Sequence, residues 1–523
     1  MKKILLMIIV AGMALTGCNT SLLNTTPNDR YVSTNFWSST AAATAALTGA
    51  YQELKTAGLY GGIATPLWEE TASPNAYDYD NTDSWNTIAE GLQSAATGKI
   101  IPSRWGECYG GIGRVNTFLE NVDRVPDMDE DLKARMKGEA HFLRALYYFN
   151  LENYWGDVPL ITEQPDPQTQ DSLPRAPRSE VVDLILKDLD TAEAILPLSY
   201  SAGDIGRATK GATLALRAKV LLFEASPLLN PSNDKNKWKA AADAANAVIT
   251  LAPSAGYGLY PDYRSLFLPE NENNKEVIFD VQFIYPQEGN SFDLIDRQYN
   301  TNAPLLGLAE AYEMKATGLP ITNSASGYDE NNPYKGRDPR LYATIVYPGD
   351  TYMGSVVDTK RFAITGYGLE KYSVYTEAVA SEDVADLKEG QSYTNYIVLR
   401  YADVLLMYAE AENEYAGPDL SVYKAVNAVR ERAGMPDLSP ALSQSAMRDA
   451  IRHERRVEFA GEGYYYNDIR RWKTAETVMN ATIYKWDHTA IETRKFDPKK
   501  DYWWPIPQAQ LDLNPNLKQN DGY

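Results

Sequence analysis

Residues 396–472 open YIVLRYADVLLMYAEAENEYAG, continue VYKAVNAVRERAG from Val422, and close MRDAIRHERRVEFAGEGYYYNDIRRW from Met447. Leu399, Ala402, Leu405, Leu406 and Ala409 recur at spacings of three, four and seven, the stripe of an amphipathic helix. Gly417 and Pro418 stop it. Val422, Ala425, Val426 and Val429 share the face of a second helix that ends at Gly434, and the third run carries on to Trp472. The stretch predicts three helices separated by two glycine-marked turns. Helices this short bury an apolar face only against neighbours, so the rest of the chain must supply more of them.

Working outward, helical stripes recur at 40–54, 100–121, 129–154, 179–196, 209–225 and 238–249. Pairs of helices with short turns predict stacked, tetratricopeptide-like units. Two stretches break the pattern. Residues 56–100 are rich in Gly, Pro, Asn and Asp and predict a long loop, yet they carry Tyr60, Trp68, Tyr77, Tyr79 and Trp85. Long loops in compact proteins are often functional, though such rings also pin a loop to its scaffold. Residues 255–395 form the second break. They alternate short apolar runs with turn residues, and EVIFDVQF at 276–283 has the period of a strand. The expected architecture is mostly α, a helix-pair scaffold with a large irregular, loop-rich insertion. It has an N-terminal helical region at 36–254, the insertion at 255–395, a C-terminal helical region at 396–472, and an irregular tail at 473–523 packing back on the body.

The start of the chain reads as a targeting segment. Lys2 and Lys3 precede an apolar run too short to span a bilayer, which makes residues 1–17 a signal peptide. Leu15, Thr16, Gly17 and Cys18 resemble a lipobox, with Cys18 the lipidated residue and 18–35 the anchor and tether. That leaves Cys108 without an intrachain partner, so no disulfide framework is expected.

A formal charge of −20 argues against nucleic acid as a partner and suits a neutral or cationic ligand. The 36 Tyr and 10 Trp are enough to build a stacking platform, and a sugar ring has the flat apolar face such a platform takes. Catalytic patterns are missing: there is no G-x-S-x-G elbow, H-E-x-x-H or P-loop, and the three His are widely spaced. Glu454 and Glu458 are four apart, as a glycosidase pair on one helix could be, but the neighbouring Arg448, Arg452, Arg455 and Arg456 read as a charge network. Such partners keep both carboxylates ionised, the opposite of what a general acid needs. Asp78, Asp80 and Asp83 alternate as in a calcium loop, without the Gly and closing Glu of an EF-hand. Calcium there is the one cofactor left open; no other is expected.

YADVLLMYAEA, NAVRERAG and RHERRVEFAGEGYYYNDIRRW resemble the C-terminal signature of the SusD/RagB family. DLKARMKGEAHFLRALYYFNLENYWGDVPL resembles a second family signature, TTPNDRYVSTNFW the opening segment, and the Pro-Ile-Pro and Asn-Pro tail the family's C-terminus. The resemblance covers roughly 19–55, 130–160, 396–472 and 500–523. It implies a SusD-like fold and a non-catalytic, lipid-anchored outer-membrane protein of Bacteroidota, exposed at the cell surface. Such a protein would bind oligosaccharide and deliver it to a SusC-like TonB-dependent transporter. Family members that export to the surface often carry acids just after the Cys, whereas here the first is Asp29. Carried over by region, the resemblance points to Trp68, Tyr77, Tyr79, Trp85, Tyr285 and Tyr299 as stacking residues and to Asn75, Asn81 and Asp83 as hydroxyl partners. Peptide import of the RagB type, or a structural or adhesin role without a small ligand, are the alternatives.

Overall fold

A computed structural model of the chain describes residues 36–358, 360–379 and 386–523. The expected signal peptide, Cys18 and the tether lie outside the described residues. Ten longer helices carry the scaffold: α1 Thr40–Gln52, α2 Ile100–Asn121, α3 Glu130–Trp155, α4 Arg178–Ile195, α5 Lys210–Ala225, α6 Lys235–Ala255, α7 Tyr401–Ala416, α8 Leu420–Arg432, α9 Gln444–Glu458 and α10 Tyr464–Arg471. Their starts are capped as the residue types dictate. Ser39, Asp129, Thr209 and Ser443 each accept a backbone N–H three residues on. From α1 to α8 each helix packs on the next in sequence, and α6 packs on α7 across the whole insertion. Close packing there is permitted by buried alanines, Ala241, Ala242 and Ala245 on α6 facing a helix that carries Ala402, Ala409 and Ala411. The stack is therefore built from neighbour-to-neighbour contacts, as in helical repeats.

The strands are short: β1 Ala76–Tyr77, β2 Val277–Val281, β3 Ala303–Pro304, β4 Tyr396–Arg400, β5 Thr482–Tyr484 and β6 Ala490–Thr493, with four further two-residue strands between residues 345 and 369 of the insertion. β2 pairs antiparallel with β4, which joins the two ends of the insertion at its neck. This corrects the sequence expectation that placed Leu399 on the first C-terminal helix. Ile397 and Val398 are β-branched and find a strand partner, so the helix waits until Tyr401. The run from Met447 to Trp472 is also not one helix. Gly461 (φ +77°) and Gly463 (φ +71°) turn the chain in the left-handed region and separate α9 from α10. The loop expected at 56–100 contains two short helices, Thr65–Glu69 and Trp85–Ala89, and the insertion holds several more elements of this size. In the tail, Trp504 is buried against Tyr154 (centroids 4.3 Å apart), Trp155 and Trp85.

The centre of the C-terminal half is ionic. Arg400, at the end of β4, is buried and reaches Glu462 (2.7 and 2.9 Å), Glu458 (2.7 Å) and Glu276 (2.9 Å). Lys371 meets Glu462 at 2.6 Å, Arg340 meets Glu458 at 2.9 Å, and Arg432 pairs with Glu458 and with Glu276. Burial alone would raise the Glu458 carboxyl, but the Arg432, Arg400 and Arg340 guanidiniums outweigh it and hold it well below the usual carboxylate range. Burial likewise opposes the ionised Glu410, and Arg471 and Arg455 overcome it. The two candidate catalytic carboxylates, Glu454 and Glu458, thus sit inside ion pairs with Arg340, and with Arg430 for Glu454.

Removing Arg400 takes one cationic partner from each of three buried carboxylates. Arg400→Met is expected to lower the free energy of unfolding by about 3–5 kcal/mol in chemical denaturation. Acid should act through the same groups. Because the folded pKa values of Glu458 and Glu410 are depressed, their contribution is present above the ordinary glutamate pKa and is lost as pH falls below about 4.5. Glu70, pushed up to about 7 by burial, works in the opposite sense, favouring the fold as pH drops from 7 toward its unfolded value. Denaturation midpoints measured against pH should therefore rise between about 7 and 5 and fall steeply below about 4.5.

Candidate functional site

The aromatic residues expected to face a ligand separate into two groups. Trp68 and Trp85 are in the core. Trp68 sits on the Thr65–Glu69 helix with its indole N–H donated to Thr301 at 2.9 Å. Trp85 packs beside Trp504 and the Arg104 guanidinium. Neither offers a ring face to a ligand, which corrects their assignment as stacking residues. Asn75 is buried as well: its amide donates to Glu70 at 2.7 Å and its oxygen accepts from Arg456 at 2.8 Å. It fixes the loop to α9 instead of reading hydroxyls. Asn81 (φ +50°) is exposed and holds the backbone N–H and hydroxyl of Thr87, while Asp83 (φ +51°) is partly buried. The Asp78 carboxyl is pushed up to about 7, mainly by burial. Among the described residues, Asp78, Asp80 and Asp83 do not converge into a metal-holding group.

Tyr79 and Tyr299 remain exposed, at 43% and 46%, and are brought together: the Tyr79 hydroxyl donates to the Tyr299 carbonyl at 3.2 Å. The pairing of β1 with β3 draws the aromatic loop against the insertion and sets this contact, with Tyr77 half-buried beside it. Tyr285 is also exposed, but on a separate turn whose Glu288 is tied to Lys55 at 2.8 Å; its ring leans on Tyr393.

Next to Tyr299, Asn300 donates to the carbonyl of Tyr367 at 3.0 Å, and Tyr367 forms one wall of an open cavity of about 1040 Å³. Tyr328, Tyr334, Tyr347 and Trp486 also line it. Tyr334 and Tyr347 stack at 4.3 Å with 29° between their planes, and the Tyr334 and Tyr367 hydroxyls lie 3.1 Å apart. Burial raises all three phenols, Tyr347 to about 12 with help from Asp350, so they stay neutral hydrogen-bonding groups at any physiological pH. Arg337 shapes the floor. Its buried guanidinium donates to the carbonyls of Ala309, Tyr312 and Pro333 and lies 5.6 Å from the Tyr328 ring.

Trp486 comes from the tail, at the tip of the β5–β6 hairpin. Its backbone N–H donates to Thr365 at 2.9 Å, and its ring rests on Gly366, where a Cβ would stand 2.0 Å from the indole. Asp487 and His488 follow it on the rim, with Glu310, Asn331, Asn332 and Lys335 around the mouth. The arrangement can hold flat faces between rings and offer amides and carboxylates to hydroxyls. It has no buried acid–base pair aimed into the cavity, since the Glu454–Glu458 pair is taken up in the ionic core. Of the tyrosines in the insertion, the expectation from the sequence named Tyr285 and Tyr299 and not Tyr328, Tyr334 or Tyr347, and it did not include Trp486. The signal available for Trp486 was the turn sequence KWDH between two short alternating runs.

Residues 275–523 match a sequence model described as the SusD family, and residues 23–222 match one described as starch-binding associating with outer membrane. A SusD-like protein P25 of Formosa agariphila is 27% identical over 93% of this chain and 92% of its own length. Among solved structures, a SusD-like protein from Bacteroides fragilis superposes with a TM-score of 0.80 at 29% identity, covering 95% of this chain and all of that one. A second from the same species, a SusD-like carbohydrate-binding protein, gives 0.79 at 28% identity, covering 92% of this chain and all of that one.

Gly366 has φ +86° and no room for a side chain, so Gly366→Ala should lift the Trp486 indole off its seat. The expected result is a loss of about 1–3 kcal/mol in chemical denaturation, together with a displaced Trp486 indole N–H resonance.

Proposed function

From a chain that belongs to the SusD family, we propose capture of oligosaccharides at the outer membrane, without chemical change, for hand-over to a partner TonB-dependent transporter. The observation that carries this reading is the cavity walled by Tyr328, Tyr334, Tyr347 and Trp486. Its volume of about 1040 Å³ lies at the upper end of small-molecule sites, roughly 300–1,000 Å³, and suits a chain of sugars better than a single one. Sugar rings present C–H faces to the aromatic walls, while Asn331, Asn332, Glu310 and the Tyr334 hydroxyl meet the hydroxyl groups. Tyr79 and Tyr299 offer a second exposed aromatic pair, beside Asn300, which donates to the Tyr367 carbonyl. Glu310, Glu330 and Asp487 against Lys335 give the mouth a slight excess of negative charge, which favours a neutral glycan over an acidic one.

The membrane role needs an anchor, since no helix among the described residues is long and apolar enough to cross a bilayer. Lipidation at Cys18 would supply it, and it would leave the helical scaffold free to meet the transporter.

Calorimetric titration of the chain from residue 19 against neutral oligosaccharides and a random peptide mixture tests the reading. Saccharide binding should weaken roughly tenfold, about 1.4 kcal/mol, in Trp486→Ala and in Tyr334→Ala. Trp68→Ala should instead cost about 3–5 kcal/mol of stability, as expected for a core indole. Heat from peptides alone would replace the saccharide reading with peptide import.

A further inference from the structure

Away from the aromatic cavity, a cleft of about 520 Å³ opens between the end of α3, the start of α4 and the C-terminal tail. Its charge runs against that of the chain as a whole. Five cationic side chains line it against two acids, Asp157 and Asp521, on a protein of net charge −20. Two of the cations are accounted for: Arg178 pairs with Glu224, and Lys500 donates to the Gly91 carbonyl at 2.8 Å with Asp501 nearby. Arg175 is held as well, donating to the carbonyls of Asp157, Lys518 and Trp155 and to the side-chain oxygen of Asn520, with the Asp157 and Asp521 carboxylates acting on it. The remaining two are not. Lys473 and Lys499 are exposed, and among the described residues neither makes an ion pair. Lys473 lies 5.8 Å from the Tyr502 ring. Beside these groups stands half-buried Trp503, with one part of its indole packed over Gly156.

Two unpaired lysines next to a tryptophan ring form a recognition element for an anion carried on a ring with an apolar face. We propose that this cleft is a second ligand site, specific for an acidic sugar residue. The carboxylate or sulfate would meet Lys473 and Lys499, and the sugar ring would lie against Trp503. The two sites then differ in charge preference: the aromatic cavity has an acidic mouth and the cleft a basic wall. A phosphate on a lipid headgroup would offer the same charge without the ring, and the experiment separates the two sources.

Trigalacturonate and its methyl ester serve as probes, because esterification removes the charge and keeps the shape. In calorimetry with the chain from residue 19, trigalacturonate should bind and the ester should not. The affinity should fall with added salt and drop at least about tenfold in the double variant Lys473→Glu, Lys499→Glu and in Trp503→Ala. Both lysines are exposed, so the charge reversal leaves the fold intact, which circular dichroism checks. Equal binding of acid and ester, equal binding by wild type and the double variant, or no binding of trigalacturonate would each overturn the proposal. Sedimentation with phosphatidylcholine vesicles containing phosphatidylglycerol gives the other source. Vesicle binding lost in the double variant, with trigalacturonate silent, would assign the cleft to lipid headgroups instead.

Discussion

The fold depends on the burial of Arg400. The residue stands where β4 becomes α7, and its guanidinium gathers Glu458 from the end of α9, Glu462 from the turn after it and Glu276 from just before β2. Three segments far apart in sequence are thereby fixed at one point. Apolar packing alone would not do this, because it is non-directional and tolerates sliding. A guanidinium has donors in a fixed fork, and each carboxylate must meet it in a particular orientation. Burying so many charges is costly, and a well-packed apolar core could match the stability. What the ions add is register.

That register reaches the candidate site. Arg340 carries the network outward by binding Glu454, Glu458 and Asp338, and Arg337, three residues earlier, clamps the carbonyls that form the cavity floor. Tyr334 and Tyr347 flank this segment, and the short antiparallel pairing of Ile345–Val346 with Gly368–Leu369 sets the position of Tyr347. The hairpin that brings Trp486 is anchored separately, by the Arg494 guanidinium on the carbonyls of Ser73 and Ala76. Irregular segments can thus present a preorganised surface when charged side chains satisfy their backbone carbonyls. This matters for a binding protein, since ordering loops only on contact would consume affinity.

The same principle explains where the tryptophans went. Trp68 and Trp85 lie in a loop rich in turn residues, and a loop with few apolar partners must be held by its largest rings. They are turned inward, and the smaller, amphipathic tyrosines Tyr79 and Tyr299 are left at the surface. Composition predicts that an aromatic platform exists without telling which rings are spent on anchoring.

By itself, the sequence determined the helical scaffold. The 3.6-residue stripes, the caps at Ser39, Asp129 and Thr209, and the alternation of EVIFDVQF are local properties, and local structure follows from them. It pointed to arginine around Glu454 and Glu458 but to the wrong ones: in place of the neighbouring Arg448, Arg452, Arg455 and Arg456, the partners are Arg340, Arg400, Arg430 and Arg432 from other elements. Tertiary structure decided the rest. Tyr396–Arg400 became a strand because β2 was there to pair with it, and a partner about 120 residues away leaves no trace in a short window. The cavity joins Tyr334 and Tyr347 of the insertion to Trp486 of the tail, and the basic cleft joins Arg175 to Lys473 and Lys499. Neither set has a spacing that could be recognised in the chain, because sites built from loops are brought together by the contacts that hold the loops, and those contacts are long-range.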